Sequence, residues 1–135
     1  MAKALNLICL LIVCWFSGLT KSQSSLTRLY NKNVVKAERM ERPLQGWIGR
    51  TGIPHAGVRV TTDDGQLWLV HKTRDQGASD TVVTDARHMS SAWSVVETKY
   101  INGRRTVGDY VAAGGTRYNL LFDNCLNAAN RMMDL

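Results

Sequence analysis

Apolar and polar positions alternate most regularly between His55 and Lys72. Ala56, Val58 and Val60 recur at every second residue, Leu67, Trp68, Leu69 and Val70 follow, and Thr61-Thr62-Asp63-Asp64-Gly65 separates the two runs. That pattern predicts a hairpin of two antiparallel strands, His55 to Thr62 and Gln66 to Lys72. Val34 to Met40 alternates well enough for an earlier strand ended by Pro43, with helix as the alternative, while Gln45 to Gly52 is a glycine-punctuated loop. After a polar loop at Thr73 to Asp80, Thr81-Val82-Val83 reads as a short strand. Ala92 to Tyr100 reads as another, ended by a turn at Asn102-Gly103. Gln23 to Asn33 is a loose arm or a short helix.

The period then lengthens. Val107, Tyr110 and Val111 fall at helical spacing, and Gly114-Gly115 stops that helix. Tyr118 to Phe122 is extended, and Asp123 is a suitable N-cap for the last and clearest helix. Along it Cys125, Ala128, Ala129, Met132 and Met133 stand at i, i+3, i+4, i+7 and i+8. Strands followed by helices, with no repeat, predict an α+β domain in which an antiparallel sheet is joined by a C-terminal helix.

The first 22 residues change the picture of where this domain begins. Lys3 precedes an apolar run from Leu5 to Phe16, no acidic residue occurs, and small residues stand at Thr20 and Ser22 before Gln23. This predicts a signal peptide over residues 1–22, since the run is too short to span a bilayer, and hence a secreted product with no membrane span in the mature chain. Residues 23–135 suffice for one domain. The formal net charge is +6, of which Lys3 and Lys21 leave with the leader. The remaining excess forms no basic block interleaved with aromatics, so no nucleic-acid partner is expected. No Asn-x-Ser/Thr site for glycosylation occurs.

Cysteine usage narrows the chemistry. Cys9 and Cys14 belong to the leader, which leaves Cys125 unpaired in the mature chain. A lone cysteine in a secreted protein is an apolar filler, half of an intermolecular bridge, or a reactive thiol. Near a helix N-terminus, backbone N–H groups favour a thiolate. A nucleophilic thiol needs a base, and three histidines exist: His55, His71 and His88. His88 lies in polar Asp85-Ala86-Arg87-His88 and reads as a surface residue. His55 opens one hairpin strand and His71 closes the other. A two-residue turn would pair Val58 with His71 and put His55 on the opposite face. A three-residue Asp63-Asp64-Gly65 loop, with Gly65 left-handed, pairs Gly57 with His71 and brings both histidines to one face as diagonal neighbours. The sequence favours the second.

The order His55-Ala56-Gly57-Val58, an acidic-glycine turn, Trp68-Leu69-Val70-His71 and a late Asp123-Asn124-Cys125 opening a helix resembles the lecithin:retinol acyltransferase-like family, over about residues 33–134. That family is a circularly permuted branch of the papain-like NlpC-type hydrolases. Its usual Asn-Cys-Glu-His-Phe stands here as Asn124-Cys125-Leu126-Asn127-Ala128. The resemblance implies Cys125 as nucleophile, His55 as general base and His71 as the residue that orients it. It implies acyl transfer from an ester or amide of a lipid, peptide or cell-wall component through a thioester, with no metal or organic cofactor. The competing expectation is a secreted binding protein on the same fold that has lost catalysis.

Overall fold

The computed structural model describes residues 24–44, 52–73, 81–117, 119 and 122–135. The expected leader, the loop through Trp47 and most of the Thr73 to Asp80 loop lie outside them. The order of elements is a short helix α1 (residues 24–30), β1 (Val34–Pro43), β2 (Pro54–Thr62), β3 (Leu67–Lys72), β4 (Thr81–Asp85), a 3-10 turn (Ala86–His88), β5 (Ser94–Tyr100), α2 (Val107–Gly114) and α3 (Cys125–Met133). The segment left open between arm and helix is helical. All strand pairs are antiparallel in one five-stranded sheet of order β4-β3-β2-β1-β5. The protein is thus an α+β fold whose C-terminal helix carries Cys125. Among the described residues no helix is long and apolar enough to cross a membrane.

Strand alternation explains which face the helices cover. Ala56, Val58 and Val60 of β2 and Val70 of β3 are buried against Val107 and Tyr110 of α2 and Ala128, Ala129, Met132 and Met133 of α3. β1 contributes Val34 and Ala37 to the same core, which strict alternation would forbid. A bulge between Val34 and Lys36 resets the register and leaves Val35 exposed. The other face carries charge as well as apolar surface. Arg59 Nε donates to Glu38 Oε2 at 2.8 Å, and Lys36 Nζ to Glu38 Oε1 at 3.1 Å. Burial pushes the Glu38 carboxyl up, but these two cations outweigh it and hold it below its ordinary value. The strand expected to end at Pro43 does so, and Pro43 faces Pro54 across the ladder, where the missing N–H groups fall at strand ends.

Both helices are capped at their starts. Thr106 and Asp109 form a reciprocal capping box on α2, with Thr106 N–H donating to Asp109 Oδ2 at 2.8 Å. At the other end Arg131 of α3 donates from Nε to Ala113 O at 2.7 Å and from Nη2 to Gly114 O at 2.8 Å. Gly114, expected to terminate the helix, is its last residue, and Gly115 takes the positive φ of 78°.

Gly114 is glycine because of packing. A Cβ there would stand 2.6 Å from Thr81 Cγ2 and 2.7 Å from Met132 Cε. Thr81 cannot turn aside cheaply, since its Oγ1 donates to Gly115 O at 2.8 Å. Alanine is the better helix former by about 1 kcal/mol, whereas overpacking costs roughly 1–3 kcal/mol. Gly114→Ala is therefore expected to lower the urea midpoint despite its helix propensity, and an equal or raised midpoint would show that β4 and α3 yield to the added methyl group.

Candidate functional site

The site begins with the β2–β3 loop. Gly65 has φ 80°, Gly65 N–H donates to Thr62 O at 2.8 Å, and Thr62 N–H donates to Gln66 O at 2.9 Å, the three-residue loop with a glycine bulge. Lys32 pairs with Asp64, and Thr62 Oγ1 donates to Asp64 Oδ1 at 2.6 Å. These two hydrogen bonds, Lys32 first, hold the Asp64 carboxyl down at about 2. From this loop the ladder runs Thr61 to Leu67, Arg59 to Leu69 and Gly57 to His71.

His55 and His71 consequently share one face, and they touch. His55 Nε2 lies 3.2 Å from His71 Nδ1, with the rings edge to face at an 83° interplanar angle. Gly57 makes this contact feasible in a specific way, because a Cβ on it would stand 2.8 Å from His71 Cβ. The room left by the glycine is occupied by His71 itself. Trp93 lies against His55 with ring centroids 5.3 Å apart, and Arg42, which faces His55 across the β1–β2 ladder, stacks on Trp93 at 5.2 Å. His88, exposed in the 3-10 turn, takes no part.

The thiol arrives from the other layer. Cys125 is the first residue of α3 and Asn124 is its cap, which corrects the expectation that Asp123 caps and Cys125 comes second. Asn124 Oδ1 accepts from Leu126 N–H at 2.9 Å and Asn127 N–H at 3.2 Å, while Asn127 Oδ1 accepts from Asn124 N–H at 3.2 Å. Ala128 N–H donates to Asn124 O at 3.0 Å. Of the first four helical amides, only that of Cys125 has no hydrogen-bond partner among the described residues.

Asp123 is drawn elsewhere. Its Oδ1 lies 2.9 Å from Lys72 Nζ and 2.8 Å from Arg131 Nη2. Lys72 is fully buried, and its ammonium meets the carboxylate as an ion pair and not as a well-aligned hydrogen bond. Burial pushes the Asp123 carboxyl up, but Lys72 and Arg131 outweigh it and hold it below its ordinary value. Repulsion between this carboxylate and a thiolate at Cys125 is therefore offset by two cations. The same pair ties the strand residue after His71 to the residue two before Cys125.

Cys125 is a free thiol, 4% exposed, with Sγ 3.9 Å from the carbonyl oxygen of Pro54. Pro54 precedes His55, and across a trans peptide that oxygen is about 2.8 Å from the next Cα, so the thiol lies within roughly 7 Å of His55 Cα. Strand alternation sets His55 and His71 on the face opposite the helical layer, along with Gly57 and Leu69. The thiol therefore reaches the backbone at the start of β2, while the two histidine rings lie on the other face of the sheet. Among the described residues no group of three or more His, Cys, Asp or Glu is arranged to hold a metal ion.

Sequence reasoning passed over Lys72 and Arg42. Each is a charged residue at a strand end, the commonest of surface patterns. Trp93 falls within the segment read as a strand from Ala92 to Tyr100. A half-buried tryptophan beside a histidine has no signature in sequence.

No protein-family profile and no solved structure matches the chain. It is 36% identical over 67 residues to an uncharacterized protein of Acanthamoeba polyphaga mimivirus, a stretch covering 50% of this chain and 55% of that protein. The matched stretch is thus about half the length of that relative.

The Asp123 carboxyl is held below its unfolded value, near 3.9. As pH falls the unfolded chain takes up the proton first, so the stabilisation present at neutral pH is lost below about pH 4 and on through the folded value. Asp123→Asn is expected to cost roughly 1–3 kcal/mol at pH 7, less than the loss of one partner from a fully buried pair because Asp123 keeps about a third of its exposure. The gap from the parent, followed by urea denaturation, should narrow as pH is lowered from 5 to 2. A gap independent of pH would mean the ion pair contributes nothing.

Proposed function

We propose that this chain is a thiol-dependent acyl hydrolase or acyltransferase of the permuted papain-like kind, resembling the lecithin:retinol acyltransferase-like family. The observation that supports the reading is the proximity at the start of β2: Cys125 Sγ lies 3.9 Å from Pro54 O, and the ring of the next residue, on the other face, is held by His71 at 3.2 Å.

The chemistry follows from these groups. In this reading His55 Nε2–H is the donor to His71 Nδ1, the tautomer in which His55 Nδ1 is basic. His55 Nδ1 takes the proton of Cys125, and the sulfur attacks the acyl carbonyl of an ester or amide. The tetrahedral oxyanion is held by the unpaired N–H of Cys125 at the start of α3, a donor fixed in place by the Asn124 cap. As the carbonyl re-forms, the leaving alcohol or amine receives the proton from His55, and a thioester remains on Cys125. Water, deprotonated by His55, attacks the thioester, and the released thiol recovers its proton. A second acceptor in place of water gives transfer. Secretion through the 1–22 leader belongs to the same reading, and the substrate's alcohol or amine half stays open among lipid, peptide and cell-wall components.

A binding protein without catalysis is the second reading. It is favoured by the burial of Cys125 to 4% and by the histidine pair lying on the face away from α3.

Alkylation of the folded protein by iodoacetamide separates the two. In the parent, labelling of Cys125 near pH 7 should exceed that of His55→Ala by at least about tenfold, with the variant needing base near the ordinary thiol range around 8.5. Equal, slow rates in both proteins at every pH would sink the catalytic assignment.

A further inference from the structure

Among the described residues no carboxylate pairs with Arg42. Its side chain is half-buried, its Nε is buried without a hydrogen-bond partner, and its guanidinium is stacked on the Trp93 ring at 5.2 Å. A guanidinium stays protonated at any working pH. Stacking on an aromatic face offsets only part of the cost of taking such a donor out of water. An acceptor arriving from outside would answer this donor.

The surroundings indicate where that acceptor would sit. Arg42 lines a cavity of about 290 Å³, together with Pro43, Leu44, Ile53, Pro54 and Ser94. Pro54 is the residue whose carbonyl touches Cys125 Sγ, and Arg42 is the cross-strand partner of His55, so one lining residue touches the thiol and another is paired with its base. Glu41 also lines it, but its Oε1 accepts from Arg39 Nε at 3.1 Å and Nη2 at 2.9 Å, which neutralises the cavity's own acid without involving Arg42. Ser94 Oγ donates to Glu41 O at 3.3 Å. What remains is a small cavity with walls of mixed character, about as polar as apolar, and the planar fork of Arg42 as the cation of its lining without a paired carboxylate among the described residues. Its size is at the lower limit of small-ligand sites and suits a stem of a few carbons ending in an anion. The fork matches a carboxylate in two-point geometry.

We propose that Arg42 anchors a substrate carboxylate, so that the preferred acyl donor carries a free carboxylate on a short aliphatic stem beside the reacting carbonyl. The position of that carbonyl rests on the thiol-catalysis reading, whereas binding of the carboxylate does not.

Two measurements on the parent, Arg42→Gln and Arg42→Lys test this. The first is the shift of melting temperature with glutarate and with its neutral isostere glutaramide. The second is the ratio of kcat/KM for 4-nitrophenyl hydrogen glutarate over 4-nitrophenyl valerate. Glutarate alone should raise the parent's melting temperature, and the ester ratio should be at least about tenfold, the discrimination expected of a charge-assisted hydrogen bond. Arg42→Gln should lose both effects, Arg42→Lys should keep part of each, and without ligand Arg42→Gln should melt no lower than the parent. If the parent cleaves both esters equally and ignores glutarate, the anchor is refuted while thiol catalysis stands. If neither ester is cleaved but glutarate still binds through Arg42, the carboxylate site stands and the catalytic reading falls.

Discussion

The pairing of β2 with β3 is set at one loop, and the site follows from that pairing. Gly65 adopts a backbone conformation that side-chain-bearing residues avoid, and this adds one residue to the turn and pairs Gly57 with His71. A slip of one residue would send His71 into the helical layer and move Lys72 to the outer face, because side chains alternate along a strand. The histidine contact and the burial of Lys72 against Asp123 are two results of the same register. Lys32, reaching from the end of α1 to Asp64, braces the loop from outside.

The helical layer answers this arrangement through a division of labour between neighbouring residues. Asn124 satisfies the amides behind the thiol, and Asp123 pins that turn to β3. Had Asp123 capped the helix, Lys72 would be buried without a counter-charge, an expensive outcome. The neutral amide takes the cap and the carboxylate goes to the cations. This allocation leaves the amide of Cys125 itself as the unpaired donor at the helix start.

Much of this was legible in the residues. The hairpin register could be argued from Gly65 and two acidic neighbours, and the apolar face of α3 from the spacing of Cys125, Ala128, Ala129, Met132 and Met133, all of which are buried. Local chemistry decides such features. The choice between Asp123 and Asn124 was not legible, since both are good caps and the deciding partner, Lys72, is remote in sequence. Nor was the stacking of Arg42 on Trp93, which brings the end of β1 against the residue just before β5. Alternation likewise gave no warning of the bulge at Val35, which turns Val34 and Ala37 to the same side. The permuted papain-like architecture rests on resemblance in motif order; the fold itself is α+β, a five-stranded antiparallel sheet with a capped C-terminal helix.

Arg131 has a consequence for how the molecule opens. One guanidinium closes the carbonyl end of α2 and holds Asp123 at the threshold of α3. The two helices therefore cannot separate without exposing a carboxylate, a buried ammonium and the unmet carbonyls together. Amide hydrogen exchange in α2 and α3 should then occur through one shared fluctuation, with the buried sulfur uncovered in the same event.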